Sequence, residues 1–272
     1  MQATTKKYKI VVLTNLKDDN LNGLLKSAVK LAQIIDGQIK VFNVQKPSEV
    51  VKKENQLSAV KSIYSKRIST DKKMQGLIEP VSKQYGITIN YSSSIGNVKS
   101  EIFKCIESND PDIIILGKRN SGTLKLIGDG ITEYILNTFK GDVVIIPNKN
   151  ILYPEEDISL GTLNAPKIFS NLKFSKQLLE QTKDPVKAFR FEINNQISKE
   201  PTTYKENKTI EYIFEHNENA LEKLPNYVSK NNINLLLLKN KKSTKDTNIK
   251  QLSLNNLINR LNVPLMVIGE KI

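Results

Sequence analysis

One pattern of short aliphatic runs occurs twice in the chain, 122 residues apart. Asp112-Ile113-Ile114-Ile115-Leu116 is followed 30 positions on by Asp142-Val143-Val144-Ile145-Ile146, and Asn234-Leu235-Leu236-Leu237-Leu238 by Pro264-Leu265-Met266-Val267-Ile268 at the same interval. A polar turn precedes each first run, Asn109-Asp110-Pro111 in one case and Asn231-Asn232-Ile233 in the other. Unbroken apolar runs of this length read as strands covered on both faces. The chain is therefore read as two copies of one α/β unit. The first copy keeps glycines where a phosphate could approach the main chain; the second has lost them.

A length of 272 residues also favours two domains, since single hydrophobic cores stop growing near about 250–300 residues. The expected domains are 1–149 and 150–272, with Pro147 to Glu156 as the linker. Tryptophan is absent, so each core is expected to be aliphatic. No apolar run approaches the roughly 20 residues that span a bilayer, and Met1 to Lys9 carries no apolar signal region. One cysteine, Cys105, excludes an internal disulfide and fits a reducing compartment. A soluble cytoplasmic protein with no membrane partner is expected.

The net charge is +13, yet only four of the 41 basic residues are arginines. Nucleic-acid binders lean on arginine for bidentate contacts and on aromatics for stacking. The lysines are scattered, with short clusters such as Lys239-Lys241-Lys242. The expectation is a basic surface without a nucleic-acid partner; a lysine-driven polyanion-binding module is the alternative.

Lys9 to Leu16 reads as a buried parallel strand. Leu21, Leu24, Leu25, Ala28, Leu31, Ala32 and Ile35 recur at helical spacing, with Gly37 as the stop, and Gln38 to Val44 is a second strand. A right-handed βαβ unit follows. Residues 48–85 read as mostly helical, with Leu57, Val60, Tyr64, Met74, Leu77, Ile78 and Val81 inward and Tyr85-Gly86 at the end. Ile87 to Tyr91 is a strand, and Asn97 caps a helix buried through Ile102, Phe103 and Ile106. Ile113 to Leu116, a helix over Ile131 to Phe139, and Val143 to Ile146 complete the first copy.

The second copy repeats the plan with a shorter front. Strands are expected at Ile158–Leu163, Val186–Ile193, Thr209–Phe214, Leu235–Leu238 and Leu265–Ile268. Helices are expected at Phe174–Thr182, Leu221–Ser229 and Leu252–Leu261, and polar mobile segments at 194–208 and 239–250. The fold class is α/β, with two doubly wound parallel five-stranded sheets of flavodoxin-like type and the second domain shortened.

Doubly wound sheets bind ligands beyond the carboxyl ends of their strands, where strand order reverses. In the first copy that places Thr14, Asn15 and Gly117 at one crevice. The loop from Gly117 ends at Gly128-Asp129-Gly130-Ile131-Thr132, a helix start whose free N–H groups and dipole favour an anion. Lys118 and Arg119 add positive charge.

On these residues the whole chain resembles a tandem universal stress protein. The family's nucleotide signature is Gly, two residues, Gly, nine residues, Gly, then Ser or Thr. Gly117 and Gly130 match it, whereas Asn120 stands for the second glycine and Ile131 for the hydroxyl residue, with Thr132 adjacent. Asp112 leading into Ile-Ile-Ile-Leu-Gly, Gly96-Asn97 opening a helix, and Val44 closing the second strand also agree. Asn15 replaces the aspartate that contacts the adenosine part in nucleotide-binding members. The resemblance implies ATP or AMP as the ligand, held by Thr14, Asn15, Val44, Gly117, Lys118, Arg119, Asn120, Gly130, Ile131 and Thr132, or else a relic loop whose glycines only make turns.

Leu238 is followed by Lys239-Asn240-Lys241-Lys242, with no glycine before Pro264, so the second copy is expected to be structural. His216, the sole histidine, reads as a solvated turn residue, Cys105 as a buried inert thiol, and a zinc site is excluded. No nucleophile–base pair and no certain cofactor are visible. The resemblance implies a non-enzymatic stress-response protein with at most one weak adenine-nucleotide site. It also implies domains paired within the chain through their last strands, and a homodimer. An ATP-binding switch or slow ATP hydrolase using Gly117, Arg119 and Gly130 remains the rival.

Overall fold

The computed structural model describes residues 7–15, 20–50, 56–118, 130–165, 168–192, 209–215, 220–239 and 254–269. The segments at 194–208 and 240–250, with His216, Asp18-Asp19, Arg119 and Asn120, lie outside them. Packing groups the chain into two compact units, Met1–Gly117 and Lys118–Ile272.

In the first unit, β1 (Tyr8–Thr14), α1 (Leu21–Ile35), β2 (Gly37–Gln45), α2 (Pro47–Val50), α3 (Gln56–Tyr85), β3 (Ile89–Ile95), α4 (Val98–Asn109) and β4 (Ile113–Gly117) follow in sequence. The strands lie in the order β3-β2-β1-β4, all parallel. Val12 and Ile113 through Ile115 are fully enclosed, as strands covered on both faces require. Chain order runs outward from β1 through β2 to β3 and then returns to β4 on the other side of β1. The reversal point is thus the β1/β4 boundary.

The second unit holds α5 (Ile131–Thr138), β5 (Asp142–Ile146), β6 (Leu160–Leu163), α6 (Ser175–Glu180), β7 (Val186–Glu192), β8 (Thr209–Glu215), α7 (Ala220–Lys230), β9 (Leu235–Lys239), α8 (Leu254–Arg260) and β10 (Leu265–Ile268). Its strand order is β5-β10-β9-β6-β7-β8. Every pairing from β10 to β8 is parallel. β10 runs antiparallel to β5, with Leu265 opposite Ile145 and Val267 opposite Val143. That pairing groups β5 with the second unit, although in sequence it is the last strand of the first repeat. The order β8-β7-β6-β9 matches β3-β2-β1-β4 strand for strand.

Hydrogen bonds repeat as well, which gives the duplicated polar turns a physical purpose. Asn109 Nδ2 donates to the Cys105 carbonyl at 2.6 Å, and Asn231 Nδ2 to the Tyr227 carbonyl at 2.8 Å. Asp110 (φ 42°) and Asn232 (φ 51°) both take the left-handed conformation that ends each helix, a geometry that Asp and Asn tolerate better than most residues. Asp112 Oδ2 accepts the Lys9 N–H at 3.1 Å, and Asn234 Oδ1 accepts the Ser159 N–H at 2.8 Å. Each polar turn therefore ends a helix, starts a strand and clasps the neighbouring strand.

Three expectations are corrected. Gly37 is not the stop of α1: Asp36 is the left-handed cap, and Gly37 opens β2, where a Cβ would meet Ile10 Cδ1 at 3.0 Å and Ala32 Cα at 3.3 Å. Close strand–helix approach, not chain reversal, requires the glycine there. Phe103 is 49% exposed although Ile102 is buried, so the inward stripe of α4 is narrower than its apolar content. Along α3, Met74, Ile78 and Val81 are buried, but Val60, Tyr64 and Leu77 are exposed. The first half of that helix exposes its apolar side chains, Val60, Ile63, Tyr64 and Ile68 among them. Asn97 does cap α4, accepting the Ser100 N–H at 3.2 Å.

Candidate functional site

Register fixes what stands at the carboxyl ends of the first unit's strands. Leu13 pairs with Leu116, and Thr14 with Asn43. Thr14 and Gly117 therefore end adjacent parallel strands at nearly the same level, with Val44 one residue past the β2 partner of Thr14 and one before the end of β2, and Asn15 one step beyond Thr14. Thr14 and Gly117 flank the reversal point. Thr14 and Val44 are buried, and Asn15 and Gly117 are half-buried. The Thr14 hydroxyl donates to the Asn15 carbonyl at 3.3 Å.

The two signature glycines have different reasons to be glycine. Gly130 precedes α5 with φ 52° and ψ 20°, and its carbonyl accepts the Tyr134 N–H at 2.7 Å. The left-handed backbone alone explains that residue. Gly117 has no positive φ, and a Cβ there would meet only Leu24 methyls at 3.6 and 3.7 Å among the described residues. Among the described residues, neither conformation nor crowding demands a glycine at 117. Ile131 and Thr132 are the first two residues of α5, both half-buried, and they belong to the second unit.

Lys118 departs most from its expected role. Its ammonium donates to the carbonyls of Leu261 at 2.8 Å and Asn259 at 3.0 Å, which are left over at the end of α8. The Lys118 N–H donates to the Ile146 carbonyl at 2.7 Å. Burial holds its ammonium below the ordinary lysine pKa. The side chain expected to meet a phosphate instead satisfies helix-end acceptors, where a positive charge is favoured.

In the second repeat, register places Asn164 where Thr14 stands and Lys239 where Gly117 stands. Asn164 is left-handed (φ 46°) and its Oδ1 accepts the Phe191 N–H at 2.8 Å. Its side-chain oxygen is spent on the neighbouring strand, and Lys239 presents a side chain in place of bare backbone. Sequence reasoning missed Asn164, because nothing local marks it as a strand-to-strand clasp. A cleft of about 790 Å³ in this unit lies at the amino ends of the strands, lined by Ser159, Asn234 and Pro264, the end opposite that at which such sheets take ligands. Burial raises the Cys105 thiol pKa, partly opposed by Lys40 and by the hydrogen bond from Asn109. Among the described residues no group of three His, Cys, Asp or Glu could hold a metal ion, and no helix is long and apolar enough to cross a membrane.

The strand order and its reversal point define a doubly wound, flavodoxin-like α/β class of fold. Within it, the Universal stress protein family model matches residues 8–147, and the chain belongs to that family. No curated protein matches the chain. A universal stress protein from Archaeoglobus fulgidus is similar over 97% of this chain and 98% of its own, with a TM-score of 0.69 and 16% identity. A putative universal stress protein from Pseudomonas aeruginosa is similar over 97% and 94%, with a TM-score of 0.58 and 12% identity. At these identities the likeness shows the fold.

Proposed function

We propose that the chain is a non-enzymatic, cytoplasmic stress-response protein in which only the first repeat retains an adenine-nucleotide site, and a weak one. Gly117 carries this reading: nothing among the described residues requires a glycine there, and close approach of a ligand's phosphate to the main chain would. Thr14, Asn15 and Val44 stand beside it, suited to the ribose and base. Asn15 supplies an acceptor without the charge of an aspartate, so affinity is reduced. Lys118 is withdrawn from the ligand set by its contacts with α8. The second repeat serves as scaffold, with the antiparallel β5–β10 pairing supporting an internal pseudo-dimer built across the 149/150 repeat boundary. Covering these apolar strands prevents edge-to-edge aggregation.

Calorimetric titration of the full chain with ATP, AMP and cyclic AMP tests the reading. Binding of at least one nucleotide is expected, tighter in Asn15→Asp and weaker in Gly117→Ala, with the stability of the glycine variant unchanged. No binding in either the wild type or Asn15→Asp overturns it. Light scattering measures whether two chains associate further.

A further inference from the structure

We propose that the cleft at the amino ends of the second unit's strands binds a small organic anion, its acid group held by Arg260 and Lys149. At about 790 Å³ the cleft has the size that encloses a small molecule. None of Thr14, Asn15, Val44 and Gly117 takes part in it.

The two repeats differ in what fills this end. Register makes Ser159 the counterpart of Lys9, and Lys187 that of Lys40. In the first repeat both lysines reach the turn after α4. Lys9 Nζ donates to the Asn109 carbonyl at 2.9 Å, and Lys40 Nζ to Asn109 Oδ1 at 2.8 Å. In the second repeat the Tyr212 hydroxyl donates to Asn231 Oδ1 at 2.7 Å instead, and Ser159 stops at a hydroxyl where Lys9 extends a long stem. Ser159 therefore lines a cleft. It is buried and accepts from Lys187 Nζ at 3.5 Å, and its own proton has no acceptor among the described residues.

Charge decides what the cleft takes. Asp157 holds Lys183 at 2.7 Å and Asp184 holds Lys187 at 3.6 Å, whereas Lys149 and Arg260 have no acidic partner among the described residues. Arg260 ends α8, where a cation ordinarily meets the helix's own last carbonyls. Here Lys118 takes those of Asn259 and Leu261, and Asn150 Nδ2 takes that of Asn262 at 2.6 Å. The guanidinium is left for a ligand, and its fork matches a carboxylate or a phosphate. The Asn150–Asn262 bond also brings Lys149 and Arg260 to the same end of the cleft. Against these two cations stands Glu156, so positive charge is in excess. Buried Val228, Ile233 and Pro264 supply apolar wall. An inorganic ion would leave that wall bare, and a neutral apolar molecule would leave both cations unpaired.

Titration of the full chain with benzoate, phenyl phosphate, inorganic phosphate and benzyl alcohol tests this, followed through the amide resonances of Ser159 and Asn234. Benzoate or phenyl phosphate should shift both saturably, the tighter of the two identifying the acid group. Benzyl alcohol and inorganic phosphate should bind at least about ten-fold more weakly, since each lacks half of the recognition. Arg260→Ala/Lys149→Ala, at two exposed positions, should weaken the aromatic anion at least about ten-fold, with an unchanged circular dichroism spectrum. Ser159→Lys, the residue of the first repeat, should close the cleft and abolish binding. Lys176→Ala/Lys239→Ala removes as much charge elsewhere and should leave binding within about two-fold. No saturable shift with either aromatic anion overturns the proposal, as does equal affinity for benzyl alcohol, or a loss in Arg260→Ala/Lys149→Ala no greater than in the charge control.

Discussion

The Lys118 contact sets a measurable contribution to stability. Replacing Lys118 by Met keeps most of the aliphatic stem but removes the donor to two carbonyls at the end of α8. The Asn259 bond is exposed, so water replaces it at little cost. The Leu261 bond is part-buried, and a charge-assisted hydrogen bond there contributes about 1.5–3 kcal/mol. Favourable placement at a helix carboxyl end adds about 0.3–1 kcal/mol. Burial of the ammonium lowers its pKa, so it outweighs these charge-specific gains and leaves about the 0.5–1.5 kcal/mol of an ordinary hydrogen bond. The net loss in Lys118→Met should be about 1 kcal/mol, a fall in melting temperature of about 2–4 °C for a unit of this size. Urea denaturation at neutral pH measures it. The burial penalty acts while the ammonium is protonated in both states and is relieved as pH rises from the depressed folded value towards the unfolded one. The deficit of the Met variant should therefore widen on moving from pH 7 into the alkaline range below 10.5. A Met variant as stable as the wild type would show that the two contacts make no net contribution.

The clasp shared by the repeats gives a matched pair of tests. Asp112→Ala should cost about 1.5–3 kcal/mol and Asn234→Ala about 1 kcal/mol, since a charged acceptor makes the stronger bond; denaturation midpoints report both, and a neutral result for either removes the clasp from that repeat. Gly269→Ala should be severe, at least about 3 kcal/mol, because its Cβ would collide with the carbonyls of Lys140 and Gly141; soluble yield and melting temperature measure this, and a stable alanine variant would mean the strand end shifts freely. Cys105, whose burial disfavours the thiolate, should react with an aromatic disulfide reagent at neutral pH at least about ten-fold slower in the folded protein than in denaturant. Equal rates would contradict an enclosed thiol.

Strands β1, β4, β5, β9 and β10 were legible because each holds a contiguous aliphatic run, whereas β3 is largely polar and runs over Ile89–Ile95 rather than Ile87 to Tyr91. Leu235–Leu238 needs no distant partner to declare itself a buried strand. The helix ends were nearly as legible, since Asn97, Asp110 and Asn232 act within a few residues of where they stand. Gly37 misled, because a glycine after a helix suggests a cap whereas the crowding from Ile10 and Ala32 arises only when the strand folds back on the helix. Phe103, Val60 and Tyr64 misled for a related reason. Periodicity shows that a helix has an apolar face, and only the extent of its neighbours shows how far along that face is covered.

For the candidate site, the positions of Thr14, Val44 and Gly117 followed from strand ends and topology, and register then brought Thr14 and Gly117 to nearly the same level, with Val44 one residue on. Lys118 could not be assigned from sequence, because its acceptors lie 141 and 143 residues away and nothing local distinguishes a lysine that meets a phosphate from one that meets a helix end. The amino-acid order by itself determined a duplicated α/β plan, since short-range burial patterns and turn chemistry are local. Which polar side chains remain free for a ligand was decided only in three dimensions, because a hydrogen-bonding group is available only where folding has brought no better partner to it.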